Sequence, residues 1–164
     1  MLFRSGLVVK QGRGCLVVVN KWDVKEGERG ARERFNKELQ RKFRFLPWAP
    51  VLFGSALKPN LADALFPLID RVMKTFSDRI PTGSLNKFLQ DVIAQHPLPV
   101  RKGRPTKAVK SVYATQVATK PPVITLFVGR PQDVGRTYLR FLENRLREQY
   151  DFSGAPLRIL VRQK

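Results

Sequence analysis

The sequence predicts two units of different fold class: an α/β unit with a parallel sheet over residues 1–76, followed by a small α+β domain over residues 77–164. In the first half, short continuous apolar runs alternate with stretches of helical periodicity, as in a parallel sheet covered by helices. In the second half, a helical stretch precedes two adjacent strand-like stretches, another helical stretch and a last strand. Between the halves, the polar segment 77–81 is typical of a hinge.

The first half is predicted to form strand, helix, strand, helix. Leu16 to Val19 is a run of branched apolar residues that predicts a strand buried on both faces. A helix is predicted from Ala31, where apolar residues recur every four positions, and Val51 to Phe53 predicts the second strand. Asn60 is suited to cap the next helix, but Pro67 should kink that helix or delay its start. Two strands are too few for a stable doubly wound domain, so this half looks like part of a larger one.

The second half is predicted to form a helix, a hairpin, a second helix and a last strand. Its first helix ends at Pro97, so we interpret His96 as a partner of the helix dipole rather than as a catalyst. A Pro-rich basic loop over 97–107 then leads into the hairpin. Apolar spacing places the five elements at residues 85–93, 109–117, 123–128, 138–146 and 157–161.

The charge balance indicates a polyanionic partner. The chain has 31 Lys and Arg against 13 Asp and Glu, a formal net charge of +18. Such a surplus suits nucleic acid or an anionic membrane surface, and we favour nucleic acid; a merely solvated basic surface is the alternative. The single cysteine, Cys15, excludes an internal disulfide and suits a reducing compartment, where a thiol in a strand is expected to be inert. Neither a membrane span nor a metal site is expected from the sequence.

The chemistry of the first candidate site lies in Asn20-Lys21-Trp22-Asp23, directly after the first predicted strand. A carboxylate such as that of Asp23 can accept the N1–H and N2–H donors of guanine together, which adenine cannot supply. Asn20 can donate to the acceptor edge of the base or pin the loop, and the stem of Lys21 can lie along the ring. Parallel sheets bind ligands at the carboxyl ends of their strands.

A second candidate loop, Ser55-Ala56-Leu57, follows the second predicted strand. Its backbone N–H can donate to guanine O6, and the Ser55 side chain can tie the loop down. If the two strands are neighbours, the two loops lie side by side at one edge of the sheet. The sequence therefore predicts guanine recognition by Asn20, Lys21, Asp23, Ser55, Ala56 and Leu57.

These two loops resemble the base-reading motifs of TRAFAC-class GTPases, and the second half narrows the resemblance. YATQVATKPP, LFV, YLRFLENRLRE and FSGAPLRI, at residues 113–122, 126–128, 138–148 and 152–159, resemble the C-terminal KH-like domain of the Der (EngA) family. Its members are bacterial and organellar GTPases with two tandem G domains and a KH-like domain, and they assist assembly of the large ribosomal subunit. The chain looks like a C-terminal fragment: a partial second G domain over 1–76 and the KH-like domain over 77–164.

The resemblance implies that Asn20 and Asp23 contact the base, that Lys21 covers it, and that residues 55–57 form the third base loop. It implies GTP or GDP held through base contacts only, with the large subunit and its rRNA as partners. It also implies a ribosome-associated, cytoplasmic protein, with an organelle as the alternative. No DNA is expected as a partner, and a monomer is expected.

The phosphate-binding half of a GTPase site is missing from the 164 residues. Neither G-x-x-x-x-G-K-[ST] nor D-x-x-G occurs, so the ligands that hold Mg²⁺ in the family have no counterpart. We therefore expect no catalytic residue here, no GTP hydrolysis and weak nucleotide binding, although the parent family hydrolyses GTP. The truncated sheet should also expose an edge strand.

The predicted RNA contacts lie in the second half. The G-x-x-G loop of many KH domains is absent, because the loop that begins Gly129-Arg130-Pro131-Gln132-Asp133 lacks the second glycine at that spacing. The basic candidates are Arg101, Lys102, Arg104, Lys107, Lys110, Arg136, Arg140 and Arg147. The alternative is a solvated face, and Arg145 could pair with Glu148.

Three functions remain open on the sequence. The leading one is a Der-type ribosome-assembly GTPase, represented by its guanine-reading loops and its KH-like domain. The alternative is a non-catalytic basic RNA-binding module that has lost GTPase function. A GTPase of another subfamily with a fused basic domain is the third, and the match over residues 113–122 argues against it.

Overall fold

Two separate sheets organise the part of the chain that the computed structural model describes, residues 2–98 and 112–164. By their contacts the residues form two units: Met1–Phe76 with Phe152–Pro156, and Ser77–Asp151 with Leu157–Lys164. The division after residue 76 lies where the sequence places the hinge. The sequence, however, assigns all of 77–164 to the second domain, whereas residues 152–156 pack in the first unit.

The first unit is built on two short parallel strands. Strands β1 (Val17–Val19) and β2 (Val51–Phe53) pair in the register Val17 with Val51. This confirms that the two strands ahead of the candidate guanine loops are neighbours. Three helices accompany them, α1 (Leu2–Lys10), α2 (Ala31–Lys42) and α3 (Asn60–Ser77), and a 3₁₀ turn spans Trp22–Lys25.

For Pro67 of helix α3, one of the two expected effects, a delayed start of the helix, is wrong. The helix begins at Asn60 and continues through Pro67 to Ser77, so its start is not delayed. Pro67 cannot donate to the carbonyl of Asp63, but both residues are exposed, and water can satisfy that carbonyl. Helix α1 was not predicted at all, because its sequence, with Gly6 at its centre, has no clear apolar period.

A three-ring cluster packs the candidate loop of β1 against α2 and β2. Trp22 lies edge-on to Phe53, with ring centroids 4.6 Å apart, and to Phe35 of α2, at 5.8 Å. The Arg32 guanidinium lies over the ring of Phe53, 5.1 Å from its centroid. Trp22, which lies between Lys21 and Asp23, therefore anchors this loop against α2 and β2.

A segment from late in the chain completes the first unit. Gly154 donates its N–H to the Trp48 carbonyl and accepts from the Cys15 N–H, both at 2.8 Å. The hydroxyl of buried Thr75 in α3 donates to the Ser153 carbonyl at 2.7 Å. Cys15, just before β1, is half-buried, and burial raises the pKa of its thiol.

The second unit is a three-stranded sheet with two helices. Its elements are α4 (Thr82–Gln95), β3 (Tyr113–Ala118), β4 (Val123–Val128), α5 (Arg136–Gln149) and β5 (Arg158–Gln163). β3 pairs antiparallel with β4, which confirms the predicted hairpin, and β4 pairs parallel with β5. The core contains Leu85, Leu89, Ala114, Ile124, Leu126, Leu142 and Leu146. The predicted start of the hairpin, residues 109–111, lies outside the described residues.

Within residues 2–98 and 112–164, no helix has the combination of length and apolar character that crossing a bilayer requires.

Candidate functional site

The two candidate guanine loops meet at the carboxyl ends of β1 and β2. The N–H of Gly54 donates to the Val19 carbonyl at 3.1 Å, which extends the strand pairing by one step beyond β2. The N–H of Trp22 then donates to the Gly54 carbonyl at 3.0 Å. The two loops are therefore joined directly through their backbones.

Asn20 ties the two loops together. Its Oδ1 accepts the N–H of Ala56, 36 residues away, at 3.0 Å and the N–H of Lys21 at 2.8 Å. The sequence assigns guanine O6 to a backbone N–H of this loop, and the N–H of Ala56 is held by Asn20 in this structure. The N–H of Leu57 is held by Ser55 Oγ at 3.3 Å, so the Ser55 side chain braces its own loop.

Lys21 and Leu57 stand at the solvent side of the two loops. Lys21 has a left-handed backbone, with φ of 60°, which turns the chain sharply after β1. Leu57 is 90% exposed. Two exposed aliphatic side chains on the two loops are what a flat ring would need above and below it.

Asp23 carries the observation that most directly points to a ligand. Its Oδ1 is buried and has no hydrogen-bond partner in the structure. Asp23 lines a cavity of about 170 Å³ together with Trp22, Phe53, Gly54 and Ser55. A buried carboxylate oxygen without a donor is costly, so a ligand that supplies N–H groups would be favoured in this cavity.

An ion pair that sequence reasoning missed bridges the same two loops. The Lys58 ammonium contacts the Glu26 carboxylate, and both residues line the cavity of Asp23. The hydrogen bond and charge of Glu26 raise the pKa of Lys58, and the charge of Asp23 adds to this. The sequence spacing could have revealed this pair, because Glu26 lies three positions after Asp23 and Lys58 lies three positions after Ser55.

A Mg²⁺ site is not formed by these residues. In the described part of the chain, no group of three or more His, Cys, Asp or Glu could hold a metal ion. Of the two carboxylates at the cavity, Glu26 is already paired with Lys58.

The arginines of the second unit that the sequence predicts to contact RNA differ in how exposed they are. Arg136 and Arg140 are exposed on the first turns of α5. Arg147 is mostly buried and donates to Glu143 Oε1 from two nitrogens, at 3.0 and 3.1 Å; burial lowers the pKa of its guanidinium. The predicted pair of Arg145 with Glu148 is confirmed at 2.6 Å. Arg101, Lys102, Arg104, Lys107 and Lys110 lie outside the described residues.

His96 and the loop before α5 have structural contacts. The N–H of His96 caps α4 by donating to the Val92 carbonyl, and its ring packs edge-on against Phe141, with centroids 5.0 Å apart. Tyr138 donates to the His96 carbonyl at 2.8 Å. The loop without the second glycine forms a 3₁₀ turn over Pro131–Asp133 rather than a regular helix.

The second unit has the element order and mixed sheet of a small KH-like α+β domain, attached to a unit with a short parallel sheet. The family model described as "KH-domain-like of EngA bacterial GTPase enzymes, C-terminal" matches residues 79–162. The chain belongs to this family, as the resemblance of its second half indicated.

Curated relatives cover nearly the whole chain. It is 42% identical over 163 residues to GTPase Der of Thermomicrobium roseum, a match covering 98% of this chain and 35% of the relative. It is 37% identical over 160 residues to GTPase Der of Streptococcus pneumoniae strain Hungary19A-6, covering 98% and 36%. The chain therefore spans about a third of the length of these relatives.

Proposed function

We propose that the chain supplies the guanine-reading loops and the RNA-contacting KH-like domain of a Der-type GTP-binding protein that acts at the large ribosomal subunit. The matched relatives are GTPases by name. The steps that go beyond the family are the guanine base as ligand, ribosomal RNA as partner and the ribosome as the place of action.

The buried oxygen of Asp23 carries the guanine part of the proposal. Asp23 lines the cavity, its Oδ1 is a buried side-chain oxygen without a partner, and a carboxylate has a chemistry that selects between bases. Guanine would supply N1–H and N2–H donors to the two carboxylate oxygens, whereas adenine presents an acceptor at N1 and would leave the oxygen unpaired.

The other loop residues have complementary roles in this proposal. With Oδ1 of Asn20 holding the Ala56 N–H, its Nδ2 group is left to donate to the acceptor edge of the base. The stems of Lys21 and Leu57 would cover the two faces of the ring. Ser55 would act indirectly, because its hydroxyl holds the Leu57 N–H and so fixes the loop.

The RNA part is supported by the charge of the chain and by α5. Arg136 and Arg140 are one helical turn apart and exposed, and so can each meet a phosphate. Arg147 is better assigned to stabilising α5, because its guanidinium is mostly buried against Glu143. The loop residues 101–110 stay in the proposal on their sequence alone.

The guanine assignment can be tested with Asp23→Asn. In saturation-transfer NMR with millimolar nucleosides, the unmodified chain should respond to guanosine and not to adenosine. Asp23→Asn replaces an acceptor by a donor, so it should lose the guanosine response and gain one for xanthosine, which has a carbonyl in place of the 2-amino group. Asp70→Asn, an exposed aspartate of α3, is the matched control and should behave like the unmodified chain.

Two outcomes would contradict the proposal: equal responses to guanosine and adenosine, or a guanosine response that survives Asp23→Asn. No nucleoside response together with intact RNA binding would favour the alternative, a basic RNA-binding module without GTPase function.

A further inference from the structure

The sheet of the second unit has one buried face and one face with two aromatic rings and exposed guanidinium groups. Ala114, Ile124 and Leu126 are at most 2% exposed and belong to the buried face. Side chains alternate along a strand, so the residues between them face the other way. We define this outer sheet face by Tyr113, Phe127, Arg158, Leu160 and Arg162.

The strand register places these residues in rows. Tyr113 pairs with Phe127, and Phe127 pairs with Arg162, so two rings and a guanidinium form one row across three strands. The ring centroids of Tyr113 and Phe127 are 6.1 Å apart, with an angle of 39° between the planes. Leu160 belongs to the next row and Arg158 to the one after it.

This face retains accessible apolar surface within the folded chain. Tyr113 and Leu160 are each 43% exposed, whereas Phe127 is half-buried and supports the ring of Tyr113. Thr125, which pairs with Leu160 in the central row, is buried, whereas Leu160 remains accessible. The end with Tyr113 combines aromatic surface with the exposed charge of Arg162.

We propose that the outer sheet face binds single-stranded RNA, with bases stacking on Tyr113 and Phe127 and with Arg162 meeting a backbone phosphate. This rests on the proposed function, since it gives the RNA a second contact surface besides α5. Aromatic rings on a sheet with flanking cations are how many domains hold unpaired bases.

The charges of the face favour RNA over other occupants. The three strands contain two arginines and no acidic residue, so a polyanion meets no repulsion there. A second copy of the chain would bring the same arginines against each other. Duplex RNA is disfavoured because its bases are already stacked and cannot reach the rings.

The proposal can be tested by fluorescence anisotropy on the 164-residue chain, with a fluorescein-labelled 12-nucleotide oligouridine and a 12-base-pair RNA duplex as probes. Tyr113→Leu keeps apolar volume but removes the ring and should weaken oligouridine binding about tenfold. Tyr113→Phe keeps the ring and should bind like the unmodified chain. Arg162→Ala should weaken binding several-fold, and Arg41→Ala, an equal loss of charge on exposed α2, should change it less than twofold.

The outcomes separate this inference from the proposed function. The sheet face is supported as the RNA site if Tyr113→Leu and Arg162→Ala each bind oligouridine more weakly, while their melting temperatures and their duplex binding stay unchanged. If both variants bind oligouridine as the unmodified chain does, and the Arg136→Ala, Arg140→Ala double variant binds it more weakly, the sheet face is overturned as the site. RNA binding by the chain would then still stand. An unmodified chain that binds neither probe overturns both. If the unmodified chain sediments as a dimer and Tyr113→Leu sediments as a monomer, the face binds a second copy of the chain and the RNA proposal is overturned.

Discussion

Gly154 occupies a position that no other residue type can take without rearrangement. Its φ is 73°, a left-handed conformation that side chains disfavour. A Cβ added there would lie 2.4 and 2.7 Å from the two Cγ atoms of Val72 and 3.0 Å from the Cys15 carbonyl oxygen. The same residue makes the two backbone hydrogen bonds that join segment 152–156 to the first unit.

Gly154→Ala should therefore destabilise the protein by about 2 to 4 kcal/mol, from the strained backbone and the overlap with buried Val72. The measurement is urea unfolding followed by circular dichroism. Gly83→Ala is the matched control, because a Cβ at this helical position meets nothing within 4 Å and should stabilise the protein by up to about 1 kcal/mol. Equal stability of the two variants would contradict the packing account.

The residues proposed to read the base could be singled out from the sequence because the pattern that suggests them is local. Asn20, Lys21 and Asp23 follow one apolar run, and the loop of Ser55 follows the next. The bond from Ala56 to Asn20 could not be predicted, since it depends on how two loops 36 residues apart approach each other. The constraint on Gly154 was missed for the same reason, because it comes from Val72, far earlier in the chain.

At the scale of elements, the segment that the sequence marks as a hinge is held to β3 by Gln116. This side chain is 1% exposed, and its Oε1 accepts the N–H of Ile80 at 2.8 Å. Its Nε2 donates to the carbonyls of Asp78 and Ala118, at 3.0 and 3.3 Å. Arg79 donates in turn to the Gln116 carbonyl at 2.9 Å. The residues just before α4 are thus part of the second unit.

Gln116→Leu should destabilise the protein by at least about 2 kcal/mol, because it leaves the Ile80 N–H and the Asp78 carbonyl without their partner. Native-state hydrogen exchange of the Ile80 amide should also speed up, which distinguishes this local loss from general destabilisation. Gln90→Leu, on the exposed side of α4, is the matched control and should leave both quantities unchanged. Slow exchange of the Ile80 amide in Gln116→Leu would argue against the role of Gln116.

The elements with strong local signals were predicted well, and those that depend on solvent or distant packing were not. The hairpin of β3 and β4 has alternating residues and a proline turn, and it pairs as expected. Pro67 did not delay the start of α3, because the helix is exposed at that point and water can satisfy the Asp63 carbonyl. No pattern within residues 152–156 predicts that they pack in the first unit, since this packing depends on backbone hydrogen bonds to the distant residues Cys15 and Trp48.

For the whole molecule, the positive charge is spread over both units. Acidic side chains in α2 and α5 are largely committed to neighbouring cations: Glu38 to Lys42, Glu143 to Arg147 and Glu148 to Arg145. The surplus that gives the net charge of +18 would attract any polyanion, whatever its sequence or structure. What the RNA proposal requires is that particular arginines of the KH-like domain contribute more than this general attraction.

The salt dependence of RNA affinity separates the two contributions. For single-stranded nucleic acid, a plot of the logarithm of the binding constant against the logarithm of the salt concentration has a slope of about −0.7 per phosphate contact. If Arg136 and Arg140 each meet a phosphate, their double substitution to Ala should reduce the slope by about 1.4 in magnitude. Lys37→Ala with Arg41→Ala removes two exposed charges from α2 and should leave the slope unchanged. Equal changes in both double variants would mean that net charge alone attracts RNA, because long-range attraction depends on how many charges remain and not on which helix carries them.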